Sequence, residues 1–456
     1  MELVVEVWRL DAWATVLDRK VEAVALKMPQ RPTSPWWAGA EACQAEARRR
    51  GTTFYLVWDW WVRQSEEAGA LKTLAAIARV APEALVLRDL GLLKAARQQY
   101  PDLKLHAAGG WGCHNSLGLR QAEALGFSRV VVAAPLGLKE LALMRRQSSL
   151  PLEVGLTPPC PGFTGLCMLQ DYLGANCDSC GAFLRRSRSP AATLFQTLEK
   201  LVGLAQLGVE AVQLTGEFFP EEALGQVVDL CQAVKEGAPE ARLQALAAAR
   251  QVLRVIEPGM DAVLPGFKKE GGRELPKVPA AKSGIAKAQR PLAMLPEGHL
   301  WIEARSFGEV ADLARQGRHP LIVQLTPENY SDFLAQHRRW ALWRLIRESS
   351  LAFYQKAMET LKQGGYLRFV VSDWGAVALV RQMGGKAYGD QTLGVRNSQA
   401  LQMARQAGVA RVCLPGGRPA DWRDLMENVP KGSLWVYRIR FSGHKFFLSR
   451  QGRVLS

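Results

Sequence analysis

The feature that most constrains this chain is a local pattern repeated along its first half. Short, largely apolar stretches occur eight times within about 235 residues, most of them followed by a longer amphipathic one. The apolar stretches are Glu2–Val7, Val21–Met28, Thr52–Trp60, Ala84–Asp89, Leu103–Ala108, Arg129–Ala134, Leu152–Thr157 and Ala211–Phe218. Each has the length of a strand, and most are followed by a helical pattern, as at Asp11–Lys20 with Asp11 as N-cap, Ala38–Arg50 and Ser65–Val80. Strands buried on both faces and separated by helices make a parallel sheet. Eight such units predict a TIM-like (β/α)8 barrel, with an open doubly wound sheet as the alternative.

The barrel expectation gives the cysteines a place. Cys160, Cys167, Cys177 and Cys180 fall within 21 residues directly after the seventh stretch, among Pro159, Pro161, Gly162, Gly165 and Gly174. In a barrel the loops after the strands gather at one face, where sites are built. Thiolates so spaced converge on one metal centre at small closure cost, and the prolines and glycines let the backbone turn around it. An iron–sulfur cluster and a structural zinc both accept four cysteines, and the spacing leaves both open. Disulfides need an oxidising compartment. The start of the chain has no basic segment, apolar core or cleavage site, so a cytoplasmic protein with reduced thiols is expected. Cys43 and Cys231 are alternates for one of the four ligands. Asp89, His106 and Glu217 fall at or near strand ends on the same face.

Composition narrows the class. A hydrophobic share of 48% and a charged share of 22% describe a globular protein, and no apolar run of 18 residues marks a membrane span. The net charge of +15 makes a polyanion such as RNA a plausible partner.

The chain divides into a barrel over residues 1–240, a helix and basic linker over 241–296, and an α/β half over 297–456. Pro265–Arg290 is rich in Pro, Gly and basic residues, as linkers are. Beyond it the pattern predicts strands at His299–Ala304 and His319–Leu325, then a long helical region over Pro327–Gln363. Trp340 and Trp343 there alternate with Arg338, Arg339, Arg344 and Arg347, which fits a helix burying its tryptophans. The later chain repeats the earlier one. At an offset of 282, Asn115-Ser116 falls on Asn397-Ser398, Arg129-Val130 on Arg411-Val412, and Leu152 on Leu434. Asp89-Leu-Gly91 resembles Asp373-Trp-Gly375 slightly out of step. Cys160 and Cys167 fall on Ser442 and Ser449, so the second, degenerate barrel-like half lacks the cysteine set. A hairpin over Lys445–Leu455 ends the chain.

Three passages carry a family resemblance: Asp89-x-Gly91 with His106 and Asn115, then Gly126-Phe-Ser-Arg129, then Leu152-Glu-Val leading to the four cysteines. In these the chain resembles the U32 peptidase family, the collagenase-like proteins. The resemblance implies a four-iron–four-sulfur (4Fe-4S) cluster on Cys160, Cys167, Cys177 and Cys180. It also implies oxygen-independent hydroxylation, acting on an RNA base or on a small aromatic, quinone-type precursor. Alternatives are a non-catalytic cluster protein that pairs with another U32 protein, or a peptidase, for which Cys113-His114 is the adjacent Cys/His pair. Asp89, His106, Asn115 and Glu217 are the candidate catalytic residues. The sequence departs from the family at Thr157-Pro-Pro, Leu166, Thr215 and Glu217, where the family carries other polar residues.

Overall fold

A computed structural model of the chain describes residues 1–132, 136–156, 198–216, 219, 221–249, 300–304, 321–327, 340–343, 346–365, 367–413, 424–430, 433–438 and short paired segments up to 455. Cys160, Cys167, Cys177, Cys180, Glu217 and the 265–290 linker lie outside the described residues.

The first half closes as predicted. Strands β1 (Glu2–Val7), β2 (Ala23–Lys27), β3 (Thr53–Trp58), β4 (Ala84–Leu87), β5 (Lys104–Ala107), β6 (Arg129–Val132), β7 (Leu152–Gly155) and β8 (Ala211–Thr215) pair in sequence order as one parallel barrel. Glu2↔Ala211 to Glu6↔Thr215 is the closing register. The helices between them are α1 (Ala12–Leu17), α2 (Ser34–Arg50), α3 (Glu67–Val80), α4 (Leu90–Gln99), α5 (Ser116–Ala124), α6 (Leu138–Gln147) and α7 (Leu201–Gln206), with α8 (Glu221–Glu236) after the last strand. Boundaries shift slightly from expectation. Helix α2 begins at Ser34, with Pro35 in its first turn where a missing N–H costs nothing. Asp11 precedes α1 but does not cap it, because its carboxylate is drawn to Arg9 at 2.8 Å.

Two cores result. The larger one lies between sheet and helices. The smaller fills the barrel and consists of Val4, Ala23, Ala25, Tyr55, Val57, Ala84, Val86, Ala108, Val131 and Ala211. Four of those interior positions on β2, β4 and β8 are alanines, which leave room for long polar side chains from the same strands.

The second half also closes. Strands β9 (Leu300–Ala304), β10 (Leu321–Gln324), β11 (Trp340–Trp343), β12 (Arg368–Val371), β13 (Lys386–Gly389), β14 (Val409–Cys413) and β15 (Leu434–Arg438) form a seven-stranded parallel barrel in which β15 pairs with β9. Its helices include α9 (Leu351–Gln363), α10 (Trp374–Gln382) and α11 (Ser398–Gln406). The single long helix expected over Pro327–Gln363 is corrected here. Trp340–Trp343 is strand β11, paired on both sides, and the helix begins at Leu351. A four-residue apolar run fits either element, and the need for a strand between β10 and β12 decides it. The terminal hairpin is present as Phe447–Leu448 against Val454–Leu455.

The repeat is longer than the sequence match. Helix α3 and the one-turn helix Gln64–Glu66 before it correspond to α9 and Glu348–Ser350 at an offset of 284. The offset falls to 282 by β5 and β13, because the first half carries two extra residues across α4 and the turn after it.

Candidate functional site

Two of the four sequence candidates belong to the contact between the barrels. Asp89 is the N-cap of α4 and accepts from Leu92 N at 3.0 Å. Its other oxygen accepts from Val62 N at 3.1 Å. Asn397, the N-cap of α11, donates from Nδ2 to Val62 O at 2.8 Å and lies 3.3 Å from the Asp89 carboxylate. The mirror arrangement uses the other pair. Asp373 caps α10, accepting from Ala376 N at 2.8 Å, and accepts from Ile346 N at 3.2 Å. Asn115 caps α5 and donates to Ile346 O at 2.6 Å.

Helix α4 thus packs on α11 and α5 on α10 around a local two-fold. Gly91 and Gly375 permit it, because a Cβ on either would overlap the facing Asn397 or Asn115. Ser116 N donates to Glu348 at 2.6 Å, and Ser398 N donates to Gln64 at 2.7 Å. Asp89 and Asn115 are fully buried. Burial raises the Asp89 carboxyl above its ordinary range and pushes Asp373 up to about 6.

The adjacent Cys113-His114 pair lies at the same contact. Burial pushes the Cys113 thiol up and the His114 imidazole down to about 4. A nucleophilic cysteine needs its thiol lowered, so this environment opposes the role. The alternates Cys43 and Cys231 sit nine and ten residues into α2 and α8, buried against the outer core. Both helices follow strands and run away from the rim, which places these thiols about 15 Å down the helix axis.

Inside the first barrel the polar side chains form two groups. The deeper one holds His106 and Glu153. Arg129 donates to Glu2 at 2.6 Å and to Glu153 at 3.4 Å, and Tyr55 Oη donates to Glu2 at 3.0 Å. Burial pushes Glu153 up to about 7, with Arg129 pulling the other way. Burial opposes the charge on Arg129, and the carboxylates of Glu2 and Glu153 outweigh it. His106 packs edge-on against the Tyr55 ring at 5.2 Å, and its Nδ1 has no hydrogen-bond partner among the described residues. Burial and the nearby Arg129 hold its pKa down to about 3, so it is neutral.

The second group lies at the C-terminal ends of β1 to β4 and β8. Glu6 accepts from Trp8 Nε1 at 3.2 Å and from Gln213 Nε2 at 2.9 Å, with Lys27 Nζ at 4.0 Å. Burial raises the Glu6 carboxyl, and Lys27 partly offsets this. Arg88 Nε lies 2.9 Å from Asp59 Oδ1, off the N–H direction, while Nη2 donates to Asp59 O at 2.6 Å. The Arg88 guanidinium lies 4.9 Å from the centre of the Trp61 ring. Trp61 in turn reaches the second barrel. Its ring occupies the space a Cβ on Gly394 would need, and Arg396 lies 6.0 Å away. The second barrel therefore forms part of the wall of the first barrel's mouth.

None of Trp8, Glu6, Lys27, Asp59, Trp61, Arg88 or Glu153 was among the sequence candidates. A signal for them existed. Each charged residue interrupts, or directly follows, an otherwise apolar strand at an inward position. The four cysteines follow β7 in the sequence, and the C-terminal end of β7 belongs to this same rim. Among the described residues no group of three or more His, Cys, Asp or Glu is placed to hold a metal, and no helix is long and apolar enough to cross a membrane.

The family model for peptidase family U32 matches residues 39–254. The tRNA hydroxylation protein P of Haemophilus influenzae is 26% identical over 130 residues, 28% of this chain and 28% of that protein. Its Escherichia coli counterpart is 24% identical over 130 residues, 28% of this chain and 29% of that protein. The match therefore spans less than a third of either relative's length. Thiamine phosphate pyrophosphorylase from Pyrococcus furiosus superposes with a TM-score of 0.31 at 12% identity, covering 56% of this chain and 95% of that one, too weak a likeness to carry an argument. Over residues 39–254, which include most of the first barrel, this chain is similar to peptidase family U32.

Proposed function

We propose that the protein takes part in hydroxylation of a base in transfer RNA, with the mouth of the first barrel as the place where the base is held. The observation that carries this is the make-up of the mouth. Lys27 and Arg88 alternate with the carboxylates of Glu6 and Asp59, and two tryptophans stand among them. Cations beside aromatic rings suit a phosphate-linked base, the cations meeting backbone charge and the rings meeting the base. The relatives named as tRNA hydroxylation proteins support the substrate class, and the excess of basic residues fits it.

A 4Fe-4S cluster on Cys160, Cys167, Cys177 and Cys180 belongs to the same proposal. Four thiols within 21 residues are the donor set such a cluster takes. The described cysteines, Cys43, Cys113, Cys231 and Cys413, are all buried, at separate places in the two barrels. When bound, the cluster supplies one-electron chemistry. The chain's own residues do the rest. Glu6 and Gln213 orient the Trp8 indole, and the Asp59–Arg88 pair continues the wall beyond β3 and β4. Glu153, with its carboxyl near 7, holds or gives up a proton at neutral pH beneath the mouth. A cytoplasmic site of action follows from this substrate.

Two measurements test the proposal. Protein purified without oxygen is expected to carry iron and sulfide in equal amounts and no stoichiometric zinc. Mass spectrometry of tRNA from a deletion strain is expected to lose one hydroxylated nucleoside. An unchanged modification profile overturns the tRNA assignment.

A further inference from the structure

Trp8 stands out among the residues of the mouth. Among the described residues it is the aromatic member of the large apolar side chains left exposed, at 40%. It is nevertheless held firmly. Strand alternation from Glu2, Val4 and Glu6 brings it over the barrel interior. Its indole N–H is donated to Glu6, which Gln213 fixes from the other side. The Lys27 ammonium lies 3.9 Å from the ring centre and covers one face. The indole is thus pinned at its N–H and on one face, while about two-fifths of the residue stays open to solvent.

We propose that Trp8 is the platform on which the mouth takes an unstacked nucleobase of RNA, the base lying face to face on the open side of the indole. This rests on the functional reading above and names the part of the site that grips the substrate. An enzyme that modifies a base takes it out of its stack, and an aromatic plane replaces the contact the base gives up. Lys27 beneath the ring adds cation–π attraction and a positive charge near the backbone phosphates. A pinned ring loses little freedom when the base arrives.

The test uses the full-length chain with a labelled RNA stem-loop and a fully paired duplex of the same composition. Loss of one stacked base predicts that Trp8→Ala weakens stem-loop binding roughly 5- to 150-fold. Trp8→Phe keeps a ring in place and is expected to stay within about threefold of wild type, which also controls for folding. Stacking releases no counter-ions, so the slope of log Kd against log salt is expected to be the same in Trp8→Ala and wild type. Duplex binding is expected to be unchanged. Wild-type stem-loop binding that Trp8→Ala leaves untouched, or weakens equally for the duplex, overturns the platform and spares the function. Wild-type protein that binds no RNA, but binds a free aromatic acid through Trp8, overturns both.

Discussion

The two barrels of this chain correspond from the helix after β3 to β7, and they agree in one place and part in another. At the contact between them, each contributes an Asp cap, a glycine two residues on, and an Asn cap on the next helix. These are Asp89, Gly91 and Asn115 in one, and Asp373, Gly375 and Asn397 in the other. Each Asn reaches across to a backbone carbonyl of the opposite half, Val62 or Ile346. Elsewhere an offset of 282 in the sequence pairs His106 with Tyr388, Glu153 with Trp435, and Cys160 and Cys167 with Ser442 and Ser449. Equivalent residues persist where the halves dock, and chemical groups differ where a site would be. The shared motif is therefore evidence of docking. A buried Asp that already accepts from its own helix N-terminus, from a loop N–H and from the facing Asn is committed to the contact and not to a substrate.

The comparison can be broken most sharply at the cysteines. Replacing Cys160 and Cys167 together by Ser is expected to abolish bound iron, whereas Ser442→Ala with Ser449→Ala leaves it unchanged, as read by metal analysis. Next come the close-approach glycines. Gly91→Val and Gly375→Val each place side-chain atoms where an asparagine sits. Each is expected to cost about 1–3 kcal/mol, with similar losses for the two, measured by chemical denaturation. Unequal losses would mean the two-fold at the contact is only apparent.

An effect of similar size is expected of Asn397→Ala and Asn115→Ala. Each leaves a buried carbonyl without its donor and removes a cap, at about 1–3 kcal/mol. Acid acts on this contact in two directions. Asp373 has a folded pKa of about 6, raised by burial, against about 3.9 in an unfolded chain. Its contribution to stability is full below the unfolded value and is lost as pH rises through about 6. Asp373→Asn, whose Nδ2 would meet the buried Ile346 N–H, is expected to be less stable than wild type throughout and to lose the fall in stability between about pH 4 and about pH 6, measured by chemical denaturation across that range. Glu140 behaves oppositely. Arg347 donates to it at 2.9 Å and holds it down to about 2, so its contribution is present above the unfolded carboxyl range and fades as pH falls toward that value. The smallest expected effect is Arg347→Ala. That pair bridges the barrels but is partly exposed, and its loss is expected to cost no more than about 1 kcal/mol.

Much of the first barrel was legible because the evidence for it is local. Strand length, the helices between strands and the order of pairing follow from runs of a few residues, as at Ala84–Leu87 and Leu152–Gly155. The second barrel was legible as a repeat but was harder to complete. Trp340–Trp343 carries the letters of a buried helix face, and only its place between β10 and β12 makes it a strand. The candidate site was legible in part. His106 does point into the barrel, but Asp89 and Asn115 were read as chemistry because a polar residue at a strand end suits a site as well as a cap. The mouth residues were missed singly, since one Glu or Lys in a strand carries little information alone.

What the sequence determined by itself is the alternation that makes a parallel barrel, the repeat that makes two, and the set of four thiols gathered in one short stretch. Those rest on neighbours along the chain. The tertiary structure decided which polar residues meet. Asp89 finds Asn397 across 308 positions, Glu6 finds Gln213 across 207, and Trp61 reaches Gly394 in the other barrel. Such encounters are fixed by barrel register and by the packing of helix on helix, and each sums contacts from many strands that no short stretch of sequence contains.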